Sequence, residues 1–196
     1  MNFKTLTLAA ALFVCAGPVY AQQLMHSFGA TISIMSGKVN NEYGSGNMIL
    51  SQTCFSYFPR YNFIENENSS ISIGAPVAIG LGISRTNGDE DLGLAFAYDL
   101  PLVIDYNIGC KSTYENEGTF GGYFGVGFGY NSVSISKSKY SDFKGSSIGP
   151  IFRGGVRIGS NSESWSGHGI TIGLFYKKGL EKNPFNNYGF NVYYDL

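Results

Sequence analysis

Apolar and polar positions alternate with period two along much of the chain, most regularly between Leu92 and Gly109. Leu92, Leu94, Phe96, Tyr98, Leu100, Leu102, Ile104, Tyr106 and Ile108 hold the even positions. Gly93, Ala95, Ala97, Asp99, Pro101, Val103, Asp105, Asn107 and Gly109, mostly small or polar, hold the odd ones. Successive side chains of a β-strand point to opposite faces, so this stretch predicts one two-faced strand. About 18 residues at roughly 3.3 Å each reach on the order of 60 Å, beyond the strands of ordinary globular cores.

The same pattern predicts strands over Ser27–Ser36, Ile49–Glu65 and Ser70–Ser84, then from Phe120 onward, over Ile148–Ile158, from Ile170 to Lys177 and from Tyr188 to Leu196. Phe58 interrupts the polar face of the second of these. In the strand from Phe120 the parity of apolar residues flips at Val133 and Ile135, which predicts a β-bulge near Ser132. Pro76 and Pro101 fall within strands, where each forfeits a ladder hydrogen bond. They mark either local bulges, giving eight strands, or hairpin turns, giving ten. Parity is unbroken across both, and the halves would be short for a membrane strand of about 9–11 residues, so eight is the expected number.

Composition decides which face is inside. Charged residues make up 14% of the chain, and 27 residues are glycine, so the polar face of these strands lacks the Lys and Glu of a solvated surface. Gly, Ser, Ala, Thr and Asn suit a narrow, filled barrel interior instead. The opposite face, rich in Ile, Leu, Val, Phe and Tyr, is what lipid requires of a barrel exterior. Closure would also satisfy every backbone group without water. The expected fold is therefore all-β, a closed eight-stranded antiparallel transmembrane barrel. No run of about 18 apolar residues predicts a spanning helix.

The first residues supply Lys4, an apolar run from Leu6 to Val14, and Val19-Tyr20-Ala21. This order predicts a secretory signal peptide over residues 1–21, cleaved after Ala21, and a barrel domain over 22–196. Val14 departs from the residue a lipid-attachment site would want before Cys15. Net charge of −1 and the lack of a basic cluster argue against a nucleic-acid partner. Cys54 and Cys110 could pair in an exported protein but make no disulfide framework. No spacing of Cys and His suggests a metal, and none of the motifs points to a cofactor.

The segments YFPRYNF, SISIGAPVAIGLG and DLPLVIDYNIG, with eight amphipathic strands, a leader ending in AQQ and an aromatic-rich last strand, resemble the small outer-membrane β-barrel family of OmpX and OmpA-transmembrane-domain type. The resemblance covers nearly the whole mature chain and speaks to fold more than activity. It implies an outer-membrane location, lipid contact, and insertion machinery that reads the last strand through Tyr188, Phe190, Val192, Tyr194 and Leu196. Leu196 stands where that signal usually has Phe. A monomer with both termini in the periplasm is expected.

Candidate chemistry is confined to few residues. The inward face is expected to carry Arg60, Arg153, Arg157 and Lys177 with Asp99, Asp105 and Asp195. Isolated charges in a narrow lumen are costly, so these should pair, as a network that plugs the lumen or as a gate in a small pore. The glycine run from Gly121 to Gly129 lacks the residues of a phosphate loop and fits a barrel's inner face. His26 and His168 are the only candidate bases for a lipid-modifying enzyme, and neither stands in a recognisable arrangement with a serine. Trp165 is expected at the membrane interface. The leading expectation is a non-enzymatic outer-membrane barrel with an envelope-structural, surface-interaction or limited-permeation role. A lipid A deacylase or acyltransferase and a secreted lipocalin-like binder are the alternatives.

Overall fold

A computed structural model describes residues 24–41, 44–86, 93–136, 143–159, 167–180 and 185–196. The predicted signal peptide and Trp165 lie outside them. The described strands are β1 (Leu24–Asn41), β2 (Gly44–Asn66), β3 (Ser69–Gly74), β4 (Val77–Thr86), β5 (Gly93–Gly109), β6 (Phe120–Ser136), β7 (Phe143–Gly159), β8 (Gly169–Lys177) and β9 (Phe185–Asp195). All pairings are antiparallel, and β1 pairs with both β2 and β9, which closes the ring. β3 and β4 are two lengths of one stave, each lying between β2 and β5. The barrel therefore has eight staves.

The prolines produce no bulges, contrary to the expectation. Gly74 and Val77 face Arg60 and Tyr57, so no residue is inserted across Ala75 and Pro76. Val77 N–H donates to the carbonyl of Ala75 at 2.8 Å, closing a tight local turn where Pro76 has no donor. Pro101 faces Gly129 inside an unshifted β5–β6 ladder. Nor is there a bulge near Ser132, because β6 keeps its register with both neighbours through Ile135. Val133 and Ile135 point inward, each 1% exposed, since the lumen itself turns apolar at their level. The register shift on β2 lies instead between Asn62 and Ile64, which leaves Phe63 as the extra residue.

The outward face is a continuous apolar belt that includes Leu102, Phe128 and Leu174, all more than half exposed. On β6 it runs from Phe120 to Tyr130, beyond which the outward residues are Ser132, Ser134 and Ser136. Ten steps of about 3.3 Å, inclined at about 40°, project to roughly 25 Å, the height of a membrane barrel's apolar band. Tyr98 and Tyr130 mark its edge far from the termini, with ring centroids 6.1 Å apart. Tyr194 and Tyr57 lie toward the edge that carries the termini, Tyr57 stacked on Phe28 at 4.8 Å. The last-strand residues Tyr188, Phe190, Val192 and Leu196 belong to the exposed belt, with Tyr194 half-buried beside them.

Candidate functional site

The lumen is the place where this chain gathers its polar chemistry. All seven charges expected to face inward are buried there: Arg60, Asp99, Asp105, Arg153, Arg157, Lys177 and Asp195. Strand parity puts them inside, and the ladder register decides which of them meet.

Two pairs form near the middle. Arg153 Nε lies 3.7 Å from Asp105 Oδ1, and Lys177 Nζ lies 3.8 Å from Asp99 Oδ1. The Arg153 guanidinium is also sandwiched by rings, 4.4 Å from the Phe58 centroid and 4.7 Å from that of Tyr123. Such stacking suits a weakly hydrated planar cation better than an ammonium. Phe58 thus explains its break in the polar face of β2: it fills the lumen beside Val103, Ile151, Phe175 and Tyr193. Gly125, opposite Asp105 on β6, makes room for the carboxylate, since a Cβ there would overlap Asp105 Oδ1. Lys177 Nζ additionally donates to Asn131 Oδ1 at 2.5 Å and to the Ser147 carbonyl at 3.4 Å.

Toward the end that carries the termini, residues 110–118 fold across the mouth. Gly109, with φ of 69°, starts the turn, and Lys111 adopts φ of 55°, a left-handed conformation that a side chain rarely takes. Two successive carbonyls of this plug enter the lumen. That of Lys111 accepts from Arg60 Nη2 at 2.5 Å and Arg157 Nη1 at 3.4 Å. That of Ser112 accepts from Ser70 Oγ at 2.5 Å and Asn62 Nδ2 at 3.0 Å. Arg157 Nη2 also donates to Asn107 Oδ1 at 2.8 Å. Asp195 meets no arginine directly; its two oxygens accept from Ser27 and Thr171, both at 2.5 Å. Burial lowers the pKa of the Lys111 ammonium, against a raising influence from Asp195.

The far end is filled differently. Met35, Met48, Leu50, Ala95, Ala97, Val133, Ile135 and Phe185 form one buried apolar cluster inside the barrel. Sequence reading did not anticipate this collar, although the parity flip at Val133 was its signal. Between collar and plug, a cavity of about 20 Å³ is lined by residues including Asp99, Arg153, Asn191 and Tyr193. That is room on the scale of a water molecule, not of a solute.

Cys54 and Cys110 are both buried free thiols, so the pairing considered from sequence is not made. Cys54 faces the lumen from β2, whereas Cys110 belongs to the plug. His26 and His168 lie at the terminal rim. His26 Nδ1 is 2.7 Å from the Tyr57 hydroxyl, and His168 stacks on Tyr194 at 5.3 Å. Among the described residues no cluster of His, Cys, Asp and Glu could hold a metal.

The same fold occurs in solved small outer-membrane barrels. The outer membrane protein OprG from Pseudomonas aeruginosa superposes with a TM-score of 0.54 at 11% identity, over 88% of this chain and 94% of that one. Neisserial surface protein A gives 0.46 at 12% identity, over 87% and 96%. Ail, the attachment invasion locus protein of Yersinia pestis, gives 0.44 at 15%, over 88% and 99%. At these identities the likeness is one of fold. No family model and no curated protein matches the chain.

Proposed function

We propose that this protein is a monomeric, non-enzymatic integral outer-membrane barrel whose lumen is sealed, and that its role is to build the envelope and present hairpins at the surface. The filled lumen carries this reading: a plug of residues 110–118, a layer of arginine and aromatic rings, and an apolar collar follow one another along the axis. The fold shared with outer-membrane barrel proteins supports the location. The proposal includes export by residues 1–21, termini in the periplasm, and recognition of β9 by the insertion machinery. The expected width of the outer apolar belt, roughly 25 Å, supports lipid contact over a secreted binder.

Supporting the non-enzymatic reading, His26 engages Tyr57 and His168 stacks on Tyr194. An acyl-transferring or deacylating centre needs such a base within reach of a serine hydroxyl. Alanine replacement of either histidine should leave the lipid A profile unchanged, and a changed profile would reject this part of the reading.

Planar-bilayer recordings test the seal. The folded protein should leave bilayers silent. A stable unitary conductance that changes in Asp105→Asn would establish permeation instead.

A further inference from the structure

The lumen's charges do not balance where they are most concentrated. Arg153 with Asp105 and Lys177 with Asp99 form two neutral pairs. Arg60 and Arg157 remain, each 1% exposed, and among the described residues neither forms an ion pair. They converge instead on one neutral acceptor, the Lys111 carbonyl. Asp195, whose charge acts on both, has each of its oxygens engaged by a hydroxyl. Buried cations are retained only when paired or well hydrogen-bonded, because taking an ion out of water is costly. Here the two side chains repel each other across a shared carbonyl.

Arg60 Nε and Nη1, Arg157 Nε and Ser112 Oγ are buried and without a hydrogen-bond partner. All four belong to the groups gathered around Lys111 and Ser112. A single halide needs only N–H and O–H donors and brings one negative charge. We propose that Arg60, Arg157 and Ser112 form a binding site for a small monovalent inorganic anion of the halide class, under the plug. The anion takes donors from both guanidiniums, replacing the longer 3.4 Å contact of Arg157 with the Lys111 carbonyl. It offsets the surplus arginine charge and ties residues 110–118 to the barrel wall. The site is independent of whether the lumen conducts.

Bromide is the probe. Crystals of the micelle-solubilised barrel grown in sodium bromide should show anomalous density within hydrogen-bond distance of both Arg60 and Arg157; bromide only on the outer surface, or nowhere, overturns the proposal. In solution, the temperature at which the folded gel band is lost should rise saturably with bromide when gluconate holds ionic strength constant, as for a ligand that binds only the folded state. Constant ionic strength removes general screening from the comparison. Arg60→Gln should abolish the bromide-dependent rise. Should that variant fail to fold, Ser112→Ala removes one donor without altering charge and should raise the half-saturating bromide concentration several-fold. A bromide response that is absent in the parent protein, or unchanged in the variants that fold, rejects the site.

Discussion

At the end that carries the termini, the lumen is filled by polar side chains hung on the carbonyls of a plug, two arginines on that of Lys111; at the far end it is filled by methionines, leucine, isoleucine, valine, alanines and a phenylalanine packed against one another. Both fillings close the same barrel, but by different physics. The polar half depends on particular charges and donors meeting particular partners, so a single deletion strands what remains. The collar depends on volume, so its losses scale with the methylenes removed. A narrow barrel can be filled either way, and this one uses both in series.

The comparison sharpens most where one charge of a pair is removed. Arg153→Ala leaves Asp105 buried and uncompensated, and should cost about 4 kcal/mol in urea unfolding from micelles. Replacing both partners, Arg153→Met with Asp105→Leu, should recover most of that loss, since a buried ion pair and an apolar pair of similar volume differ little. A double variant as unstable as the single one would mean that the pair is itself a strong stabiliser, and the contrast between the halves would fail.

In the collar, Leu50→Ala should cost about 3 kcal/mol and Ile135→Val about 1 kcal/mol. The two should add when combined only if they do not share a cavity; as members of one cluster they are expected to couple. Equal costs for the two changes would break the volume rule assumed for this end.

The smallest effect is expected at the plug and concerns pH. Burial lowers the Lys111 pKa below its ordinary value of 10.5, so the folded protein releases this proton first. The unfolded chain then binds more protons over the interval below 10.5, and stability attributable to Lys111 rises with pH there. Lys111→Met should flatten that alkaline rise in unfolding free energy. An unaltered slope would place its origin elsewhere.

Much of the barrel was legible in single residues. The even face of Leu92–Gly109 identified the outward side, and strand parity alone assigned Arg60, Asp99, Asp105, Arg153, Arg157, Lys177 and Asp195 to the inside. Phe58 and Val133 were also visible as breaks in the alternation. Their meaning was not, because period-two patterning says which face a side chain takes but not what shares that face from another strand. An apolar residue on the inner face therefore looks like a register error until the neighbouring staves are in place. Partners inside the lumen belong to segments far apart in sequence, such as Arg153 and Asp105, and only the ladder register, which sets both opposite Gly125, brings them side by side.

What the sequence by itself determined is the alternation, the expectation of eight staves and the inner side of the seven charged residues, since these follow from local backbone geometry and the composition of each face. The tertiary structure alone decided the order of fillings along the axis. It paired Arg153 with Asp105 and Lys177 with Asp99, brought the Lys111 and Ser112 carbonyls under the mouth, and collected the collar at the other end. Those choices depend on register and on a loop folding inward, where packing and the need to satisfy buried polar groups act over distances that no local pattern records.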